Sequence, residues 1–163
     1  MPTTQEILNA EFELLRVDLI KAYDAKGMRA SGKTADSLQV VDTGLESVKL
    51  VGGRQFEQLE VGRGPSKKGP AAGKGELVEI IKQWISDKGI VSDIKNDNDN
   101  STLAFLIARK IHKQGWKREG YGGVELVSEV VTDKRIQSII NKVGAELTLT
   151  IVTRLQDELK KLA

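Results

Sequence analysis

The chain has no cysteine, a single histidine, and aromatic residues at only 4% of its 163 positions. The missing thiols exclude disulfides, a cysteine nucleophile and thiolate-bound zinc. A lone histidine, His112, excludes a paired-histidine metal site and any relay that needs two imidazoles. With so few rings, a core has to be built from Ile, Leu and Val. No stretch approaches the ~18 uncharged apolar residues of a membrane helix. The opening MPTTQE lacks the basic segment and apolar run of a signal peptide. No membrane partner is expected. Charge of one sign is also scarce: 25 basic against 23 acidic residues leave a net charge of +2. A domain that binds nucleic acid over its whole surface is usually more lopsided.

What is present suits one domain over residues 1–163. The hydrophobic pattern predicts an α+β fold: a small antiparallel sheet of three to four strands, packed by an N-terminal helix, two middle helices and a long C-terminal helix. Thr3 and Glu6 have capping-box spacing, and Leu8, Phe12, Leu15, Leu19 and Tyr23 recur at helical steps, with Gly27 as the stop. The period then changes to two. Leu38 and Val40, then Leu45, Val48 and Leu50, then Phe56, Leu59 and Val61 predict three strands, turned at Asp42-Thr43-Gly44 and at Gly52-Gly53. Helices follow over Glu76–Lys88 and from an N-cap at Ser101 to Gly115. A fourth strand is predicted at Val124–Val131.

Residues 62–75 (GRGPSKKGPAAGKG) hold five glycines, two of the three prolines, and Arg63, Lys67, Lys68 and Lys74. This composition favours neither helix nor strand and predicts a flexible loop. Its four cations are candidate assembly residues, or contacts to a phosphate backbone if DNA passes nearby. The last helix is predicted from a cap at Thr132 or Asp133 nearly to Leu162. Its stripe of Ile136, Ile140, Val143, Leu147, Ile151, Leu155 and Leu159 is longer than so small a domain needs. The expectation is that the proximal part, Ile136–Leu147, holds the subunit together while Leu155 and Leu159 meet a neighbouring copy.

Three motifs suggest chemistry and fall short of it. Gly27–Thr34 (GMRASGKT) matches the phosphate-binding pattern G-x-x-x-x-G-K-[ST] letter for letter. That loop must leave a buried parallel strand and open a helix whose N–H groups cradle phosphates. Here an amphipathic helix precedes it, and strand-like Leu38–Val41 follows too soon. Asp93, Asp97 and Asp99 resemble a calcium loop, but Ala108 stands where a bidentate acid is needed. His112, near a helix end, suits the helix dipole better than catalysis. No catalytic residue, metal or cofactor is expected.

The order of parts resembles the tail-completion (neck) family of long-tailed bacteriophages. Three stretches carry the likeness: Phe56–Pro65 (FEQLEVGRGP), Glu79–Ile85 (EIIKQWI) closed by Lys88-Gly89-Ile90, and Ala104–Gly115 with Ile107–His112 (IARKIH) at its centre. The pattern departs after Gly115, where Trp116 and the Val124–Val131 run replace a Pro-Phe segment common in the family. The resemblance implies a non-enzymatic virion subunit at the head–tail junction, assembled in the host cytoplasm. It further implies a homo-oligomeric ring, expected to be a hexamer, in contact with neck and tail-tube proteins and with genomic DNA as a candidate contact. The alternative is a small nucleic-acid-binding protein using the basic 62–75 loop.

The phosphate-loop match is predicted to be inert. Lys33→Ala should leave folding and assembly near wild type, and titration calorimetry with ATP should show no saturable heat. Micromolar nucleotide affinity lost in the variant would overturn this.

Overall fold

The computed structural model describes residues 2–44, 46–66, 75–116 and 124–162. In order these form α1 (Thr4–Ala25), α2 (Lys33–Asp36), β1 (Gln39–Asp42), β2 (Val48–Val51), α3 (Gln55–Val61), α4 (Glu76–Asp87), α5 (Ser101–Gln114), α6 (Leu126–Val130) and α7 (Asp133–Leu162). The class is α+β with helix predominant.

Helix α1 starts with the capping box read from the sequence. The Glu6 N–H donates to Thr3 Oγ1 at 3.2 Å, and the Thr3 N–H donates to Glu6 Oε2 at 2.7 Å, satisfying two otherwise orphaned donors. Leu15, Leu19 and Tyr23 are buried at successive turns. Leu19 and Tyr23 form the centre of the core with Ala35, Leu38, Phe56 and Leu126. The Tyr23 and Phe56 rings lie 6.2 Å apart, and the Tyr23 hydroxyl donates to the Met28 carbonyl oxygen.

Strands β1 and β2 pair antiparallel, Gln39 opposite Val51 and Asp42 opposite Val48. Among the described residues the sheet has these two strands, not three to four. The expected third strand is helix α3. Phe56 and Leu59 are three residues apart and face inward together, whereas Val61 stays exposed. A period of three therefore prevails over the apparent period of two. The expected fourth strand is the short helix α6. Leu126 and Val130, four residues apart, pack on the core, and Glu60 caps the helix start from α3. Its carboxylate accepts the Val127 N–H at 2.7 Å, the Ser128 N–H at 3.1 Å and the Ser128 hydroxyl.

Helices α4 and α5 pack against each other, with Ile85, Ala104 and Ala108 fully or almost fully buried. The pair is fastened to the body where α5 ends. The Arg63 N–H donates to the Trp116 carbonyl oxygen at 2.9 Å, and the Trp116 N–H donates to the Arg63 carbonyl oxygen at 2.6 Å. Gly115 permits this by two properties: its φ of +77° is left-handed, and a Cβ there would overlap the Arg63 carbonyl oxygen.

Gly115→Ala should therefore incur the left-handed penalty of ~1–2 kcal/mol and also break this bridge. A fall in Tm of roughly 4–8 °C is expected for a loss of about 2 kcal/mol in a domain of this size. A Tm unchanged by differential scanning calorimetry would show that the bridge contributes nothing.

Candidate assembly surface

Helix α7 is capped by Thr132, whose Oγ1 accepts the Arg135 N–H. It runs antiparallel along α1, and two ion pairs fix the register. Arg135 Nη1 lies 2.9 Å from Asp18 Oδ2, and Lys142 Nζ lies 2.5 Å from Glu11 Oε1. Further along, Ala145, Glu146 and Leu149 share a shallow groove with Pro2, Glu6 and Ile7 at the start of α1. There α1 ends and α7 does not. Residues 150–162 continue for ~20 Å at ~1.5 Å per residue. From Ile151 to Lys161 every residue is exposed.

The face turned to α1 is not the apolar stripe. Ile139 is buried, and Arg135, Val143 and Glu146 are half-buried. Ile136, Ile140 and Leu147 are exposed instead. One residue is ~100° of helix rotation, so the exposed stripe lies from ~60° (Ile136) to ~200° (Leu159) round from Ile139. Val143 alone of the proximal stripe faces inward. The expectation that Ile136–Leu147 holds the subunit together is thus corrected: Ile139 and the two ion pairs do so. In the distal part, Leu155 is 59% and Leu159 65% exposed.

Of the other candidate residues, Arg63 is half-buried and held through its backbone at the Trp116 bridge. Lys67, Lys68 and Lys74 lie outside the described residues, as does most of the 62–75 loop. Leu155 and Leu159 are on the free end of α7, so the structure does not join Arg63 to them in one site.

The chemical motifs resolve as supports. Gly32 opens only the four-residue α2, and α1 rather than a strand precedes it. Arg29 is turned to Asp24, with bonds of 2.7 and 2.9 Å. The Arg29 hydrogen bond holds the Asp24 carboxyl below its usual range. In the 92–100 loop, Asp99 accepts from Lys82 Nζ at 2.6 Å and from Ser101 Oγ at 2.7 Å, which places its carboxyl far below the ordinary range. Asp97 accepts the Thr102 and Leu103 N–H groups at 2.8 and 2.9 Å, capping α5. Both carboxylates are spent on the chain itself, and no three potential metal ligands cluster among the described residues.

One pair was not read from the sequence. Ser66 Oγ lies 2.7 Å from His112 Nδ1, and the Ser66 N–H donates to the His112 carbonyl oxygen at 2.9 Å. A serine nucleophile needs an imidazole oriented by a third group. Among the described residues no carboxylate bonds to this ring. The pair latches the chain after α3 onto α5, beside the Arg63–Trp116 bridge. Residues 46 apart in sequence give no spacing signal for it.

Comparison of the chain with protein-family models, curated proteins and solved structures gives no match.

The Asp97 cap has a pH signature. Burial, the largest single influence, would raise its carboxyl, but the Thr102 and Leu103 N–H donors together with the Ser92 and Thr102 hydroxyls hold it below its usual range. A depressed folded value means stability that is complete above the unfolded value and lost as pH falls through the folded one. Asp97→Ala should lower the urea midpoint at pH 7. The gap to wild type should hold down to about pH 4 and close below it. A gap that persists unchanged to pH 2 would contradict the capping role.

Proposed function

We propose that the chain is a self-assembling structural subunit of a tailed-bacteriophage virion, a ring-forming tail-completion or neck protein at the head–tail junction. Two things support the reading. The sequence resembles that family over Glu79–Ile85 and Ala104–Gly115, and those stretches fold as the helical pair α4–α5. The observation that carries assembly is the free end of α7, an exposed stripe of Ile151, Leu155 and Leu159 that covers nothing among the described residues. Contiguous exposed apolar surface of this kind marks an interaction site. The Phe56–Pro65 stretch supports the reading less, because its first part is helix α3 and not a strand.

In this reading the subunit performs no chemistry and uses no cofactor. Its partners are further copies of itself in a ring, expected to be a hexamer, with neck and tail-tube proteins above and below. Genomic DNA in the channel is a candidate contact for the basic loop, and the protein resides in the virion.

Leu155→Lys tests the surface. A charge placed there has to be desolvated on assembly without a partner, at several kcal/mol. The expected result is normal circular dichroism, a monomer in sedimentation, and failure to join tails. Gln156→Lys should be nearly silent. Unfolding of Leu155→Lys would place the distal stripe in the subunit's own stability, and normal assembly would remove it from the interface.

A further inference from the structure

The stripe of α7 contains an anomaly. Gly144 stands within a 30-residue helix, where glycine costs about 1 kcal/mol relative to alanine. Its backbone is helical, so no left-handed turn requires it, and a Cβ there would meet nothing within 4 Å. Gly115 is explained by what surrounds it within the subunit. Gly144 is not.

Helical rotation places Gly144 in the middle of the exposed stripe, flanked by Ile140, Leu147 and Ile151. On the far side of Leu147 the same face carries Leu155 and Leu159. Laid against a second α7 running the opposite way, with the midpoint between Leu149 and Thr150, the stripe complements itself. Leu155 of each copy falls on Gly144 of the other, Leu159 on Ile140, and Ile151 on Thr148. The missing side chain becomes the hole for a leucine knob. Helix α1 does not obstruct this, since it packs on the Ile139 and Lys142 side of α7.

Charge allows the same pairing. Glu158 falls opposite Asn141, and Lys161 opposite Ser138, so no like charges are opposed. The exposed fractions of Ile136, Ile140, Leu147, Ile151, Leu155 and Leu159 run from 38% to 65%. Ile136 falls beyond the overlap, and burying the other five completely in both copies removes roughly 1,000 Å² from water, about what a specific interface has to clear.

We infer that two copies of this chain pair through antiparallel α7 helices, with Leu155 of each copy seated on Gly144 of its partner. Because one face of one helix meets itself, the contact is isologous and closes at two copies. The inference goes beyond the virion reading and does not depend on it.

The full-length purified protein supplies the test. Sedimentation equilibrium should show a dimer at micromolar concentration. Gly144→Leu fills the hole without meeting any atom of its own subunit, so helix content by circular dichroism should be kept while the dimer weakens at least tenfold. Exchanging knob and hole, Gly144→Leu with Leu155→Gly, should restore pairing. Orientation is read by cross-linking, since the native chain offers no competing thiol. On mild oxidation, a mixture of Ile140→Cys and Leu159→Cys chains should give the mixed disulfide, and neither alone should cross-link well. A monomer up to 100-fold above that range, self-cross-linking of Ile140→Cys alone, or a Gly144→Leu dimer as tight as wild type would each overturn the proposal. Because these readouts need no tail, they are separate from the virion assay, and either reading can fail alone.

Discussion

The Glu11–Lys142 ion pair fixes where α7 lies along α1, and with it the length of helix that overhangs the body. The Glu11 side chain is only 10% exposed, so its carboxylate has lost most of its water. A buried charge deprived of its partner is strongly destabilising. Lys142 therefore cannot slide along α1 to another position without leaving that carboxylate alone. The Asp18–Arg135 pair, two turns away, is more exposed and adds modestly, but it fits the same register and no other. With the register fixed and α1 beginning at Thr4, the point where α7 leaves the body follows. The overhang is thus a consequence of two helices of unequal length pinned near one end.

A second constraint acts at the other end of the core. Helices α4 and α5 bury their small contact face, Ala104 and Ala108, against each other rather than against α1. Their attachment rests on polar links. These are the Arg63–Trp116 bridge, the Ser66–His112 latch, and Lys88 Nζ donating to the Gly27 carbonyl oxygen at 2.6 Å. Net contributions of about 1 kcal/mol each are typical for such bonds. The hydrophobic core proper is assembled from α1, α2, α3, α6 and Leu38, the residue just before β1. The subunit therefore joins a core-bearing body to a helical pair through a few directional contacts, and Gly115 matters more than its size suggests.

What the sequence made legible follows from how local each signal is. The capping box of α1, the extents of α4 and α5, and the long α7 were all readable, because caps and 3.6-residue periods are written within a few residues. The β1–β2 hairpin was readable for the same reason. Strands were wrongly expected at Phe56–Val61 and Val124–Val131, where two or three apolar residues fit either period. The deciding partners were distant: Glu60 caps α6 across 67 residues. Asp97 and Asp99 drew notice only as a resemblance to a calcium loop, and Glu11 drew none, though each holds an element in place. Of the candidate site, Leu155 and Leu159 lie exposed on the distal part of α7, while Arg63 is held through its backbone at the Trp116 bridge.

The direction of the α7 stripe shows why periodicity alone misassigns partners. Apolar residues at i, i+3 and i+4 indicate that one helix face avoids water, not what covers it. In α7 the internal contact is made chiefly by Arg135, Ile139, Lys142 and Glu146, a face too polar to register as a core stripe. The exposed apolar stripe is centred ~150° of helix rotation away from that face. A helix that served only its own domain would align these two faces, since burying its apolar side is where most helical stability arises. Their separation in α7, together with the open space around Gly144, is the physical ground on which we propose a contact outside the subunit.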